Sequence, residues 1–431
     1  MASKTGRPVK SVVRQIACFP LSGTMLKLYM PRKRPRGEPK GGPLSIVIVN
    51  LIPFLGDAVL YLPLIDQLRS NHPDATITVV CSDRVLPLYK AYPGVDEALS
   101  IDNDAKRWVD RTPFIRLCAR FSDARRFAQS AAKTRRFDIA LLPRGGAEPY
   151  FSAHTAWMLG AERIYGYSSY LEPERRYMQQ DSEPLMTGAV TNKRHLHESM
   201  RALEVAECAG LLAADDRSET EVAGGLQKLA EAQDFAAIAR LAGIEGDRPY
   251  AVIAPAAGAR RREWPTARFQ EIAIRLQRDL GLTVLVIGAK AEQSLVDSVC
   301  SVDNHEIRGM VGNLNVLQLV GLLSKATLFV GNDSGVGHIA GALGTPTISL
   351  NAYAMAGAED HHQSPARNKP MGPHVQVLQP QRFLPPCAEE CVADELHCLG
   401  QIDVESVWDG VLKVLGPERW PLYSAPAIQR K

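Results

Sequence analysis

The stretch from residue 328 to 350 constrains the fold more than any other part of the chain, because it has the sequence LFVGNDSGVGHIAGALGTPTISL. Its first apolar run, 328–330, stops at Gly331, and a polar turn follows. A small apolar segment with the length of a short helix leads to a second apolar run at 347–350. This order predicts a strand, a turn, a helix and a further strand, the repeating unit of a parallel sheet.

The polar turn at 332–338 is a candidate anion site. Backbone N–H groups at the start of a helix are unpaired, and the helix dipole favours a negative charge there. Ser334 can cap the helix, while Asp333 and His338 can flank a bound group. A capped turn without a ligand would have the same pattern, so the stretch alone indicates either a phosphate or nucleotide site or a purely structural turn.

Two series of apolar runs and helical patterns predict two parallel sheets. The first has SIVIVNLIP from residue 45, a helix over 58–70, a strand over 77–81 and a later strand over 137–142. The second has strands over 250–255 and 283–288, helices over 266–280, 291–300 and 316–324, a short segment at 306–308, and the 328–350 stretch. We therefore predict an α/β protein with two Rossmann-like, doubly wound domains that face each other across a ligand cleft.

The length of 431 residues suits two domains with flanking segments. Residues 211–247 are polar, rich in alanine and helical in pattern, which is typical of a connection between domains. The predicted segments are a basic arm (1–42), an N-terminal Rossmann-like domain (43–215), a helical connection (216–247), a C-terminal Rossmann-like domain (248–415) and a tail (416–431).

Positive charge is concentrated at the start of the chain. Residues 1–42 carry ten lysines and arginines against one glutamate, so this segment has a charge of +9 and the remainder −6. Such a segment suits an anionic membrane or nucleic acid, and a disordered, flexible extension has the same composition. With no apolar run of about 18 residues and no clear signal peptide, we expect a cytoplasmic protein. Peripheral attachment of the arm to anionic membrane is a hypothesis, and no nucleic-acid partner is expected.

Two further loops follow strands of the second series. Residues 256–265, AAGARRREWP, combine small residues, which let a ligand approach the backbone, with three arginines that can neutralise a diphosphate. Glu292 follows the strand at 283–288, where a carboxylate can accept hydrogen bonds from a ribose diol. A solvated basic loop and a capping glutamate are the alternatives. Because neither half has G-x-G-x-x-G after its first strand, a dinucleotide dehydrogenase is disfavoured.

The first series contains a Gly56-Asp57 pair between its first strand and helix. Asp57 can simply cap that helix. In a transferase, the same carboxylate could act as general base on an acceptor hydroxyl. Arg144 follows the strand at 137–142, in a Pro-Arg-Gly-Gly turn.

Three motifs together resemble those of the ADP-heptose:lipopolysaccharide heptosyltransferases, glycosyltransferase family 9, which have the GT-B fold. LGDAVLYLPLIDQLRSNHPDATITVV is similar to the family's opening helix and second strand. APAAGARRREWP resembles its donor loop, and GNDSGVGHIAGALGTP its Asp-Thr/Ser-Gly-x-x-His signature. The resemblance covers roughly residues 44–415 in the same order.

The resemblance implies an inverting transferase that moves a heptose, from ADP-heptose in the first instance, to a saccharide acceptor on a lipopolysaccharide, another glycolipid or a protein. Asp57 would be the catalytic base, with Gly56 and Arg144 assigned to the acceptor. Gly258, Ser334 and Gly335 would meet the diphosphate, with Arg262 beside it. Asp333 would hold the sugar, His338 the loop or diphosphate, Glu292 the ribose and Leu314 the base. No cofactor or metal is implied beyond the donor substrate.

This sequence departs from the family pattern at two places. Pro53 and Phe54 stand where small hydroxylated residues are common, and Arg262 stands where lysine is usual, which keeps the charge but changes its geometry. The sequence leaves the sugar, the acceptor and the oligomeric state open. Two other classes also stay open at this point. They are a non-catalytic nucleotide-sugar-binding protein, which would tolerate loss of Asp57, and a GT-B sugar-nucleotide epimerase, which needs no acceptor.

A cysteine cluster near the end of the chain comprises Cys387, Cys391 and Cys398, with His397 adjacent. The other five cysteines are scattered, as is typical of reduced thiols in a cytosolic protein. Four donors could hold zinc or iron, but this spacing is not a standard zinc pattern. We therefore expect reduced structural thiols or a local disulfide here, and no metal.

Overall fold

The computed structural model describes residues 42–101, 113–144, 150–172, 182–214, 223–246, 248–389 and 392–416. These residues divide between two compact units. The N-terminal unit holds the described residues of Met1–Phe54 and Tyr61–Asp216, and the C-terminal unit holds Leu55–Leu60 and those of Arg217–Lys431. The predicted arm and tail lie almost entirely outside the described residues.

A six-stranded sheet forms the centre of the N-terminal unit. Its strands are β1 (Ser45–Asn50), β2 (Thr76–Ser82), β3 (Glu97–Ile101), β4 (Ile139–Leu141), β5 (Arg163–Tyr167) and β6 (Gly188–Val190). Their order is β3-β2-β1-β4-β5-β6, and all the pairs are parallel. The continuous apolar run of β1 follows from its central position, since both faces of such a strand are buried.

The helix predicted over 58–70 is instead two helices, α1 (Leu55–Leu60) and α2 (Leu62–Asn71), which are separated at Tyr61. Pro63 lies in the first turn of α2. Because proline lacks an N–H and its ring clashes with the carbonyl four residues earlier, it can start a helix but cannot continue one. Of these two, α2 belongs to the N-terminal unit, which also contains α3 (Leu86–Ala91), α4 (Pro113–Ala131), α5 (Ser152–Met158) and α6 (Glu198–Cys208).

The sheet of the C-terminal unit has six strands in the same relative order. Its strands are β7 (Tyr250–Ala254), β8 (Thr283–Gly288), β9 (Ile307–Val311), β10 (Leu328–Asn332), β11 (Thr347–Leu350) and β12 (Val375–Leu378). Their order is β12-β11-β10-β7-β8-β9, again parallel throughout. The predicted fold class, α/β with two parallel sheets, is therefore confirmed, and the short segment expected at 306–308 is the start of β9.

Further helices belong to the C-terminal unit. They are α7 (Gly224–Glu231), α8 (Phe235–Ala242), α9 (Thr266–Leu280), α10 (Gln293–Cys300), α11 (Val316–Ser324), α12 (Gly335–Ala342), α13 (Pro365–Asn368) and α14 (Val404–Leu415). Helix α9 shows why the pattern folds this way, since Phe269, Ile272 and Leu276 share one face and are buried. Phe269 packs edge-to-face on Trp264, with ring centroids 5.0 Å apart.

Two segments that lie outside the strand–helix repeat of the second half also pack within the C-terminal unit. Helix α1 follows β1 in the chain, yet it packs against α12. Helices α7 and α8 pack against α11. Among the described residues, no helix has both the length and the apolar character needed to cross a membrane.

Candidate active site

The loops that follow β7 and β10 meet at one edge of the C-terminal sheet. These strands are parallel neighbours, paired from Leu328 with Ala251 to Gly331 with Ala254, so their carboxyl ends lie side by side. The chain winds outward from β7 in one direction and from β10 in the other. Such a switch point is where open α/β sheets bind their ligands.

Asn332, the last residue of β10, ties the two loops together. Its Nδ2 donates to the carbonyl of Pro255 at 2.6 Å, and its Oδ1 accepts from the Trp264 N–H at 3.1 Å. The Trp264 indole donates in turn to the carbonyl of Ile402 at 2.9 Å. One buried amide therefore holds both ends of the arginine-bearing loop at 256–263. The sequence placed Asn332 in a candidate loop but assigned it no role.

Asp333 is the acidic centre of the site. Its Oδ2 accepts hydrogen bonds from Arg262 and, at 3.1 Å, from the Asn351 amide, while its Oδ1 lies 3.8 Å from His338 Nε2. Burial alone would raise the pKa of this carboxyl, but the neighbouring His338 and Arg262 outweigh it and hold the pKa below 3.8. The predicted residues Arg262, Asp333 and His338 are thus brought together. Asn351 is an additional member, from the end of β11, that the sequence did not reveal.

Two buried polar atoms beside the start of α12 have no hydrogen-bond partner among the described residues. They are Ser334 Oγ and His338 Nδ1. Ser334 occupies the N-cap position without accepting a hydrogen bond from the helix, so the capping role expected for it is wrong. Buried polar atoms are nearly always paired with protein, water or ligand. Together with the unpaired N–H groups at a helix start, these two atoms mark a place for a polar ligand.

Helix α1 packs closely against the start of α12, and a glycine on each helix makes the close contact possible. A Cβ added to Gly335 would lie 2.7 Å from Leu55 Cβ, and one added to Gly56 would lie 2.8 Å from His338 Cδ2. Both glycines therefore serve a close helix contact, a role that sequence reasoning missed. Asp57 is the next residue of α1 and is partly exposed. The carboxylate predicted to be catalytic is thus carried on a helix that touches His338.

The arginine-bearing loop leaves room for a ligand. Gly258 is exposed, and apart from its chain neighbours no atom in the described part of the chain lies within 4 Å of where its Cβ would stand. Arg262 keeps 39% of its side chain exposed while it pairs with Asp333, so its guanidinium can still reach a second anion. Arg260, in the same short turn, pairs instead with the exposed Glu395 at 3.4 Å.

The other predicted donor residues follow the next strands of the sheet. Glu292 comes after β8, and its Oε2 accepts a hydrogen bond from the Ala289 N–H at 2.7 Å. This carboxylate therefore caps the following helical turn, which was the alternative to its role at a ribose. Leu314 comes after β9 and is partly buried, one residue before the N-cap Asn315 of α11. Arg144 belongs to the N-terminal unit, where it follows β4 and is partly buried.

Residues 131–390, more than half of the chain, match the sequence profile of glycosyltransferase family 9 (heptosyltransferase). The chain belongs to this family. The matched segment includes the arginine-bearing loop and the 332–338 turn, and Asp57 precedes it. Membership of family 9 makes the protein a glycosyltransferase, so the non-catalytic and epimerase alternatives are not retained.

Curated relatives match over most of their length. The chain is 25% identical to lipopolysaccharide heptosyltransferase 3 of Escherichia coli K12 over 312 residues, which covers 72% of this chain and 81% of the relative. It is also 25% identical to lipopolysaccharide heptosyltransferase 2 of Salmonella typhimurium LT2 over 310 residues, covering 69% and 80%.

Solved structures confirm the GT-B-like fold. The ADP-heptose lipopolysaccharide heptosyltransferase II of E. coli superposes with a TM-score of 0.61 at 19% identity, covering 86% of this chain and 98% of that one. An E. coli heptosyltransferase solved with ADP gives a TM-score of 0.62 at 16% identity, covering 86% and 100%. The fold expected from the sequence motifs is therefore the fold of these enzymes.

Proposed function

We propose that this family 9 member is an inverting heptosyltransferase that transfers a heptose from ADP-heptose to a saccharide acceptor of the lipopolysaccharide type. Two atoms carry the proposal, Ser334 Oγ and His338 Nδ1, which find no hydrogen-bond partner within the described parts of the chain and lie beside the Arg262–Asp333 ion pair at the switch point. The names of the curated relatives support lipopolysaccharide as the acceptor class. Structures of a relative with ADP and with ADP-2-deoxy-2-fluoro heptose support the donor class.

In this proposal the donor diphosphate lies at the start of α12. The helix start, the Ser334 hydroxyl and the exposed part of Arg262 offer it hydrogen-bond donors and positive charge. The open backbone at Gly258 lets a phosphate approach closely, while Asp333 accepts hydrogen bonds from the donor sugar. Glu292 and Leu314 serve the ribose and the base. Because Arg262 and the helix start supply the positive charge, the transfer step is proposed without a metal ion.

Asp57 is proposed as the general base. Its carboxylate takes the proton from the acceptor hydroxyl as the hydroxyl oxygen forms a bond to the anomeric carbon of the heptose. The bond from that carbon to the diphosphate oxygen breaks at the same time, and the diphosphate leaves with the electron pair. Attack from the face opposite the leaving group inverts the anomeric configuration. Arg262 and the start of α12 stabilise the charge that develops on the departing diphosphate.

The test is Asp57→Asn, which keeps the shape of the side chain and removes its basicity. We expect kcat for heptose transfer to fall by about 10²- to 10⁴-fold, the usual contribution of general base catalysis. Affinity for ADP, measured by calorimetry, should stay within about threefold, because Asp57 acts only on the acceptor.

Asp74→Asn, at an exposed position, is the matched control and should leave kcat unchanged. Turnover by Asp57→Asn close to that of the wild type would remove Asp57 from the mechanism. A protein that binds neither ADP nor ADP-heptose would overturn the proposed donor itself.

A further inference from the structure

The C-terminal unit contains a cluster of soft donor atoms that the proposed transfer does not use. Cys387 Sγ, His397 Nδ1 and Cys398 Sγ all lie within 4.8 Å of one another. Both cysteines are buried, at 5% and 1% exposure, and both are free thiols. Three side chains that can bind a metal thus come together from residue 387 and from residues 397–398. Cys391, the third cysteine of the sequence cluster, lies outside the described residues.

The spacing of these atoms matches a tetrahedral metal site. Zinc–sulfur and zinc–nitrogen bonds of about 2.3 and 2.1 Å at a tetrahedral angle place sulfur and nitrogen roughly 3.6 Å apart. His397 Nδ1 lies 3.6 Å from Cys387 Sγ and 3.3 Å from Cys398 Sγ. The Nδ1 atom of His397 therefore lies at about the distance from each sulfur that is expected between two ligands of the same metal ion.

Backbone N–H groups also point at the two sulfurs. The Val392 N–H donates to Cys387 Sγ at 3.4 Å, and the Leu384 N–H donates to Cys398 Sγ at 3.4 Å. Hydrogen bonds of this kind stabilise the negative charge of thiolate ligands. Two buried thiols packed as ordinary apolar groups would have no need of such donors.

We propose that Cys387, His397 and Cys398 bind a divalent transition-metal ion of the zinc class. Two thiolates and one imidazole favour Zn²⁺ or Fe²⁺ over Mg²⁺ or Ca²⁺, which require oxygen ligands. This proposal replaces the expectation of unmetallated thiols that the cysteine spacing gave. It is independent of the proposed heptose transfer, because none of the three residues belongs to the donor site.

The position of the cluster indicates a structural role for the metal. Cys398 begins a short helical turn, Cys398–Gln401, and the Ile402 carbonyl that follows accepts the Trp264 indole N–H at 2.9 Å. The Gly400 carbonyl accepts from Arg268 at 2.8 Å. A metal ion that fixes Cys398 would therefore fix the Ile402 carbonyl on which Trp264, at the end of the arginine-bearing loop, is anchored, and the Gly400 carbonyl that accepts from Arg268.

The experiment measures the metal in the full-length protein. Protein purified under reducing conditions should contain about one equivalent of zinc or iron by elemental analysis. After removal of the metal with a chelator, Co²⁺ should restore one equivalent and give the thiolate charge-transfer and intense visible bands of a tetrahedral cobalt–thiolate site. Because a metal that binds the folded state stabilises it, Zn²⁺ should also raise Tm of the stripped protein.

Cys387→Ser, Cys398→Ser and His397→Gln should each lose the Co²⁺ bands, whereas Cys208→Ser and His305→Gln, at exposed positions, should keep them. If a ligand variant fails to fold, the Co²⁺ titration of stripped wild-type protein still decides the question. Absence of metal and of Co²⁺ bands in the reduced wild type, or a Cys387–Cys398 disulfide that persists under reducing conditions, would overturn the proposal. Bands that survive in both cysteine variants would do the same.

Discussion

Asn332 shows how much a single uncharged residue does in this molecule. It is completely buried, and its amide satisfies one carbonyl and one N–H on either side of the arginine-bearing loop. Aspartate at this position could accept from Trp264 but could not donate to Pro255, and it would bring a buried charge. The loop that carries Arg262 is thus positioned by a side chain that need not touch a ligand.

The charge balance between Arg262 and Asp333 leads to a prediction at the same scale. In the wild type, the pKa of Asp333 followed by carbon NMR should lie below 3.8, and Arg262→Gln should raise it because a compensating cation is lost. A carboxyl whose pKa is depressed by folding stabilises the folded state above its unfolded pKa. That stabilisation disappears as the pH falls through the folded pKa, and in Arg262→Gln it should disappear at a higher pH.

Arg260→Gln is the control for this measurement. Arg260 lies in the same turn as Arg262 but pairs with Glu395, so its loss should leave the pKa of Asp333 where it is. An equal shift in both variants would mean that the general positive field of the loop, and not the specific ion pair, sets the titration.

The sequence identified most of the single residues that form this site, and it did so for a physical reason. Asp333, Ser334 and His338 lie within one short motif whose chemistry is local. The contacts of Arg262 and Asn351 with Asp333 join parts of the chain 71 and 18 residues apart. Such contacts depend on the order of the strands, which alternating strand and helix patterns do not specify. The packing roles of Gly56 and Gly335 were missed for the same reason.

At the scale of elements, the sequence predicted helices best where one amphipathic pattern had clear ends. Helix α9 runs over the predicted 266–280 and α11 over the predicted 316–324. Pro265, just before α9, and the capping pair of Asn315 and Gln318, in the first turn of α11, mark where these helices begin. The break between α1 and α2 was missed, because the apolar spacing continues across Tyr61 while Pro63 interrupts the backbone hydrogen bonds.

The contact between α1 and α12 predicts a sensitive position. In Gly335→Ala, the new methyl group would lie 2.7 Å from Leu55 Cβ and 3.2 Å from the Gly56 nitrogen, so the two helices must move apart. We expect a loss of about 1–3 kcal/mol in the free energy of unfolding, which is typical of overpacking. The separation should also lower kcat at temperatures where the variant is folded, because Asp57 moves with α1.

Gly42→Ala gives a matched comparison, since apart from its chain neighbours no atom of the described residues lies within 4 Å of its added Cβ. Urea unfolding of the two variants side by side measures the difference. Stability in Gly335→Ala equal to that of Gly42→Ala would show that the helix contact is looser than the structure describes.

At the scale of the whole molecule, charge is distributed unevenly along the chain, and this is known from the sequence alone. The first 42 residues carry +9 and the remainder −6. We propose that the protein is cytoplasmic and that this arm holds it at an anionic membrane surface, where each basic residue contributes roughly 1 kcal/mol. Full-length protein should therefore sediment with vesicles that contain phosphatidylglycerol, and a variant lacking residues 1–40 should not.

A variant with glutamine at the arm's lysines and arginines keeps the length and removes the charge. It should behave like the truncated form, and salt should weaken binding of the full-length protein. Equal sedimentation of the full-length and truncated forms would exclude the membrane role, and binding only to neutral vesicles would contradict its electrostatic basis.

The C-terminal unit is not a continuous piece of sequence, because it includes the six residues Leu55–Leu60. A gene fragment that begins at Arg217 would encode this unit without α1, and the surface of α12 around Gly335 and His338 would lose its covering helix. Chimeras made by joining halves of two relatives near residue 217 would combine α1 from one parent with α12 from the other. If residues 55–60 are exchanged together with the C-terminal half, α1 and the surface of α12 that it covers both come from the same parent.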